Sequence, residues 1–436
     1  MKITTVFRAN IVGSLLLLLL GFLRSSSSLS VASALPTETK ASTVDHARAM
    51  IEWVRSKGGF VSNKVEIRRR DPTDISSPMG VFAKEPLVDE ELILHVPREC
   101  YISLPREESR DNDLFSRQDT TMEEVMVGFY GNTCKLGHRI LEEQERYRQD
   151  PSSSNYGPFM AYLESIPRGQ LPATYTSESK AILRDMLGYR TSNETSPNYG
   201  HYTLPPYQLE SWIDNHLIQK GCFEDGDKEA EHAAATAIQR GYDTELIPIW
   251  DMFNHDNGKR NVDTETSTLR SDKGVQVYTT KAVAVGDELF ASYNECEDCY
   301  DVVDDWGTPG IFRDFGFVEG FPQVWPFLDH NILYQVIQNE NGTIRAKFYE
   351  DDSTGELIEM PDRKGLKFMR RELRRLLDLD LAKLDHSKIP EQEWYWIQRY
   401  YEALVSALDA GIEETVAIKG AQYFSDTSSS SDSDEL

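Results

Sequence analysis

Apolar positions along this chain follow two periods: helical spacing in long stretches, and short alternating or continuous runs between them. Ala47 to Lys57 predicts a helix, with Met50, Trp53 and Val54 on one face and Gly58-Gly59 closing it. Strand-like runs follow from Val65 to Arg70, Val81 to Lys84 and Leu92 to Val96. Arg68, Arg69 and Arg70 form a tight basic triplet that reads as a solvated strand edge. Residues 105 to 240 read as mostly helical. Met122, Val125, Met126 and Phe129 share one face there, as do Leu136, Ile140 and Leu141, and Ala233 to Arg240 is an Ala-rich helix. Leu366 to Leu384 and Glu391 to Leu408 are long helical patterns. Leu366, Met369, Leu373, Leu376 and Leu377 line the apolar face of the first, with Lys364, Lys367, Arg370, Arg371, Arg374 and Arg375 on its solvated face. From Ser425 the chain reads as disordered.

Two runs depart from these periods. Leu246-Ile247-Pro248-Ile249-Trp250-Asp251-Met252-Phe253-Asn254-His255-Asp256 is an apolar, strand-like approach that ends abruptly in Asp, Asn and His. Some thirty residues on, Val285-Gly286-Asp287-Glu288-Leu289-Phe290-Ala291-Ser292-Tyr293-Asn294 places a Gly-Asp turn before a short apolar strand that delivers a tyrosine. By itself, each run is consistent with caps and hydrogen-bonding core residues.

In this order, the two runs resemble the Asn-His motif and the tyrosine motif of the SET-domain protein methyltransferases. The first is similar to the subgroup that contains the Rubisco large-subunit methyltransferase and the actin-histidine methyltransferase. Met79-Gly80-Val81-Phe82-Ala83 with Glu91 to Pro97 resembles that subgroup's glycine motif and following strand. Tyr156 to Pro167 resembles the signature of its insert, and Phe312-Arg313-Asp314-Phe315-Gly316-Phe317-Val318 its closing motif. The resemblance runs from Val44 to Ile412. It implies an α+β fold: a β-rich SET core split by a helical insert and followed by a helical C-terminal substrate-binding domain. The expected divisions are 1–34 signal peptide, 35–43 linker, 44–104 and 241–320 the two parts of the SET domain, 105–240 the insert, 321–420 the helical domain and 421–436 a disordered acidic, Ser-rich tail.

The resemblance also implies the chemistry. The reaction is methyl transfer from S-adenosylmethionine to a protein nitrogen, lysine first and histidine as the alternative acceptor. Tyr293 carries the key hydroxyl. Asn254 and His255 match the cofactor-contacting pair, Phe82 and Ala83 the strand lining the cofactor pocket, and Arg240 an arginine near the cofactor. Asp251 is expected to brace its turn. Two departures stand out. Pro78 replaces the first glycine of the glycine motif, removing a donor and fixing φ. Phe315 stands at the acceptor site where a tyrosine is common, which removes a hydrogen-bond anchor. A second enzyme reading takes Asp251 and His255 as a dyad serving Cys296 as nucleophile. A non-enzyme reading makes the chain a SET module that binds basic peptides without turnover.

Composition narrows the partners. With 46 basic and 72 acidic residues the net charge is −26, which argues against general nucleic-acid binding and favours basic partners. Five cysteines are too few for a disulfide framework in 436 residues. Cys296-Glu297-Asp298-Cys299 lacks a second ligand pair, since Cys134 and Cys222 show no matching Cys or His, so no metal is expected. Lys2 and Arg8, the apolar run Ile11 to Leu23 and Ala32-Ser33-Ala34 read as a secretory signal peptide, with no membrane attachment after cleavage and a monomer expected. Ser433-Asp434-Glu435-Leu436 resembles an ER-retention signal, while Ser33-Ala34-Leu35-Pro36 resembles a secondary-plastid pre-sequence. Asn193-Glu194-Thr195 and Asn341-Gly342-Thr343 are glycosylation sequons.

Overall fold

The computed structural model describes residues 42–73, 77–104, 122–167, 171–190, 202–207, 209, 222–224, 226–242, 245–264, 273–293, 307–350, 357–358, 360–379 and 381–429. The expected signal peptide, Cys296, Cys299, the Asn193 sequon and the C-terminal Ser-Asp-Glu-Leu lie outside these residues.

Helix α1 (Thr43–Ser56) opens on a capping box: Ser42 Oγ accepts from the Asp45 N–H, and the Asp45 carboxylate accepts from the Ser42 N–H. It stops at Gly58, whose φ of +82° is glycine's own region. Met50 and Val54 face inward as their spacing predicts. Five short strands follow: β1 (Phe60–Val61), β2 (Val65–Arg69), β3 (Met79–Ala83), β4 (Leu92–Val96) and β5 (Ile102–Ser103). The insert contributes α2 (Met122–Gln149), α3 (Gly157–Glu164), α4 (Ser177–Leu187) and α5 (Lys228–Arg240). The chain then returns to short strands, β6 (Gly241–Tyr242), β7 (Glu245–Leu246), β8 (Asn254–His255), β9 (Val262–Thr264), β10 (Val275–Thr279) and β11 (Phe290–Ala291), and to helix α6 (Thr308–Phe315).

Pairing shows that the insert interrupts one structural unit. Strand β4, before the insert, lies between β1 and β10, with Leu94 opposite Val277. Strand β5 pairs with β7, Ile102 opposite Leu246. The two parts on either side of the insert therefore share sheets and one apolar core, built from Val54, Val81, Leu94, Val96, Ile102, Val275 and Val277 among others.

The C-terminal region holds the expected helices, α7 (Arg363–Leu379) and α8 (Glu391–Ser429). It also holds an antiparallel sheet that the helical expectation omits: β12 (Gln323–Phe327), β13 (Ile332–Gln338), β14 (Ile344–Glu350) and β15 (Leu357–Ile358). Ile332, Tyr334 and Val336 alternate inward along β13 and meet Phe368, Met369, Leu376, Ile397, Tyr400 and Leu404 in a second core. Leu183, Met186 and Leu187 of α4 join this core too. The apolar face of α7 is Phe368, Met369 and Leu376, whereas Leu377 is exposed. Helix α8 runs on through Ser425 to Ser429, because extending a formed helix costs far less than starting one.

The cysteine reading is corrected. Cys134 on α2 and Cys222, 88 residues apart, form a disulfide, with the His138 Nε2 atom 2.8 Å from the Cys222 carbonyl. Chain separation hid the pair, while the i,i+4 spacing of Cys134 and His138 on one helix face was there to be read.

Candidate active site

Strands β8 and β11 run parallel, with Phe290 opposite Asn254 and Ala291 opposite His255. The two singular runs of the sequence are thus adjacent strands, and Tyr293 lies just beyond the last paired residue. The approach to β8 is not one continuous strand. After Leu246 the chain turns at Ile249, whose φ of +69° is rare for a β-branched residue, and forms a short 3-10 turn over Trp250–Met252. That turn sends Asp251 inward.

Tyr293 is held at both ends. Its hydroxyl donates to the Phe253 carbonyl at 2.8 Å, and its N–H donates to His255 Nδ1 at 3.0 Å. Burial raises the hydroxyl above the ordinary tyrosine range, with Arg240 pulling the other way, so it stays neutral at physiological pH. The ring stands 4.7 Å from Phe315 and 6.4 Å from Phe317, and Phe317 stands 6.4 Å from Trp396 of α8. These aromatic side chains form a wall leading from the hydroxyl to the C-terminal region.

His255 is not part of a dyad with Asp251. Its Nε2 faces Glu319 Oε2 at 2.6 Å, and both side chains are buried. Asp251 instead pairs with Arg240, Nη1 to Oδ2 at 2.9 Å, and the same Nη1 donates to the Tyr162 hydroxyl at 3.0 Å. This is the bracing expected of Asp251, but its Oδ1 is buried with no hydrogen-bond partner. Burial raises the Asp251 carboxyl above the usual range, partly countered by Arg240.

Asn254 reaches the glycine motif. Its Nδ2 donates to the Met79 carbonyl at 2.8 Å and to Glu288 Oε1 at 2.6 Å, while Glu288 Oε2 takes Arg70 Nε at 2.9 Å. Gly80 is the residue this cluster needs: a Cβ there would meet Glu288 Oε1 at 2.4 Å and Asn254 Nδ2 at 2.9 Å. Pro78 precedes β3, where a strand tolerates the missing donor, and its carbonyl accepts from the Arg70 N–H. The basic triplet is therefore more than a solvated edge, since Arg68 also lies 3.6 Å over the Phe82 ring. Phe82 and Ala83 are buried on the same strand, and the Ala83 N–H and carbonyl are engaged with Asp287 and Gly286.

Tyr162, Glu288 and Glu319 belong to the site yet carried no role in the sequence. Tyr162 and Glu288 lie inside motifs that were recognised, so only their roles were missed. Among the described residues, the side chains of metal-binding type that converge are Cys134, His138 and Cys222, whose ligand atoms lie within 4.8 Å of one another. Their sulfurs are joined in the disulfide.

The SET-domain family model matches residues 79–294, from the first residue of β3 to the residue after Tyr293. This is a SET-domain protein. The match begins and ends on the two segments that Asn254 and His255 bind, Met79 through its carbonyl and Tyr293 through its N–H. No curated protein matches the sequence. Among solved structures, the SET domain of LSMT bound to lysine and AdoHcy is 13% identical, covering 85% of this chain and 81% of that one at a TM-score of 0.38. Rubisco LSMT bound to sinefungin and monomethyllysine is also 13% identical over 85% of this chain and 81% of that one, at a TM-score of 0.40.

Proposed function

We propose that this SET-domain protein is an S-adenosylmethionine-dependent protein N-methyltransferase that acts on a lysine side chain. One observation carries the reading: a neutral, buried Tyr293 hydroxyl pinned to the Phe253 carbonyl, between an aromatic wall and the Arg240–Asp251 pair.

The residues present fit the cofactor. An amino-acid end has both an ammonium and a carboxylate, and the site offers the unpartnered Asp251 Oδ1 and the Arg240 guanidinium. Gly80 lets Asn254 and Glu288 close on the glycine motif, where a Cβ would collide with both. S-adenosylmethionine supplies a methyl group activated by its sulfonium charge. The protein supplies alignment and dryness. Because the Tyr293 hydroxyl gives its hydrogen to Phe253, its oxygen presents lone pairs to an incoming N–H. A lysine ammonium, with a pKa of about 10.4 in water, is driven toward the neutral amine by desolvation against Phe315, Phe317 and Trp396.

The lumenal address is proposed with it. The Cys134–Cys222 disulfide supports an oxidising compartment, and Asn341 is exposed in the β13–β14 turn where a glycan fits. An endoglycosidase-sensitive mass that disappears when Asn193 and Asn341 are both changed to Gln tests ER entry.

The activity test pairs calorimetric titration of residues 35–436 with S-adenosylmethionine and labelled methyl transfer onto an arrayed set of lysine- and histidine-containing peptides, for the parent and Tyr293→Phe. Binding by both with transfer by the parent supports the enzyme. Label confined to histidine peptides shifts the acceptor, in keeping with the missing hydroxyl at Phe315. No binding by either leaves the peptide-binding module.

A further inference from the structure

We propose that Glu319 is a positioning residue that sets the place of the Tyr293 hydroxyl through two side-chain arms, an inference that rests on the methyl-transfer reading. The pairing of β8 with β11 ends at Ala291 and His255, so Ser292 and Tyr293 stand just past the ladder. Each is held by a side chain instead. Tyr293 N–H donates to His255 Nδ1 at 3.0 Å, and Ser292 Oγ lies 2.7 Å from Asn257 Oδ1. Both arms end on one atom: His255 Nε2 lies 2.6 Å and Asn257 Nδ2 3.2 Å from Glu319 Oε2. The other carboxylate oxygen accepts from Thr308 Oγ1.

The histidine tautomer follows from this network. A backbone N–H only donates, so Nδ1 must accept, and the ring hydrogen sits on Nε2 with Glu319 as its acceptor. An acceptor at Glu319 therefore selects the one neutral tautomer that can hold the Tyr293 backbone. Without it, the ring is free to carry its hydrogen on Nδ1, which repels the Tyr293 N–H.

Glu319 also governs what faces the hydroxyl. Thr308 opens α6, the helix that ends on Phe315, and the Glu319 carbonyl accepts from Gln323 Nε2 at the start of β12. One carboxylate thus fixes the tyrosine and the helix that brings up the aromatic wall. A buried carboxylate is costly to keep, and a purely apolar packing would serve stability as well. Its position at the end of two arms that converge on consecutive site residues is what a positioning role requires.

The test compares Glu319→Gln, which keeps an acceptor toward His255, with Glu319→Ala, which does not. We expect Glu319→Ala to lower kcat by about a hundredfold, the scale of a misplacement near one ångström, while calorimetric affinity for S-adenosylmethionine stays within about twofold. Glu319→Gln should retain kcat within about fivefold. Independently of activity, hydrogen exchange of the Tyr293 amide should quicken about tenfold in the Ala variant and not in the Gln variant. Should Glu319→Ala fail to fold, Asn257→Ala cuts a single arm and should lower kcat about tenfold at unchanged cofactor affinity. Unchanged exchange at Tyr293 in Glu319→Ala, or a Gln variant as impaired as the Ala variant, overturns the proposal. A parent that transfers no methyl group overturns the enzyme reading instead, and the exchange measurement still decides whether Glu319 positions Tyr293.

Discussion

Two buried polar clusters act on Tyr293, and they are built on opposite plans. Around Glu319, both carboxylate oxygens accept hydrogen bonds, from His255, Asn257 and Thr308. Around Asp251, one oxygen takes Arg240 and the other, equally buried, takes nothing. A buried acceptor left unmade costs about 1–3 kcal/mol. The fold bears that cost beside the tyrosine and avoids it at Glu319. The contrast separates two duties within one site. On the proposed function, the satisfied cluster holds geometry, and the unsatisfied one offers an acceptor to a ligand's donor.

Breaking the second cluster should have the largest effect. Arg240→Ala leaves Asp251 buried without its cation, and we expect a loss of about 3–5 kcal/mol in denaturant unfolding. Asp251→Asn should cost far less stability and act on cofactor affinity instead. Equal losses in the two variants would show that Asp251 is only a structural partner of Arg240.

Next in size is the disulfide. Arg240 is the last residue of α5, and Cys134–Cys222 ties the segment before α5 to α2. Replacing both cysteines by Ala should lower stability by about 2–4 kcal/mol. Cofactor affinity should weaken through Arg240 while the Tyr293 amide keeps its slow exchange. Faster exchange at Tyr293 in this variant would mean that the two clusters are coupled, and the division of duties would fall.

The same contrast explains what could be read in the chain. Tyr293, Asn254, His255 and Arg240 were legible through the family resemblance, because each lies in a short ordered motif, although each run by itself is consistent with caps and core residues. Strand β4 was legible residue for residue from Leu92 to Val96. Glu319 was not, because its meaning depends on His255, 64 positions earlier, and no periodicity reports a contact of that span. Glu288 pairs with Arg70 across 218 positions for the same reason. The sheet at β13 is a different kind of miss. Ile332, Tyr334 and Val336 alternate, and Asn341-Gly342 supplies a turn, so the signal existed but the family's helical expectation overrode it.

The aromatic wall offers a smaller effect that sharpens the comparison from the acceptor side. Trp396 stands against Phe317, at the far end of the wall from the hydroxyl, so Trp396→Ala should raise KM for a lysine peptide several-fold, about 1 kcal/mol, at nearly constant kcat. A fall in kcat with unchanged KM would place Trp396 with the positioning cluster rather than with the wall.

The smallest expected effect is an absence of change with pH, and its sign follows from burial. Tyr101, Tyr162, Tyr175, Tyr293, Tyr334 and Tyr400 all have hydroxyls raised above the ordinary range, first by desolvation. In the unfolded chain they would ionise near pH 10, while in the fold they hold their protons beyond it. The folded state therefore binds more protons above about pH 10, and their contribution to stability is present below that pH and lost as pH rises through it. Tyrosinate absorbance should appear together with unfolding, not before it. Because the Tyr293 hydroxyl stays neutral, its ionisation should put no descending limb into the parent's rate profile below about pH 10. A limb in that range present in the parent and missing from the residual activity of Tyr293→Phe would show that Tyr293 titrates early. Its hydroxyl would then be solvated, and neither cluster would be holding it in the buried position from which the contrast between them was drawn.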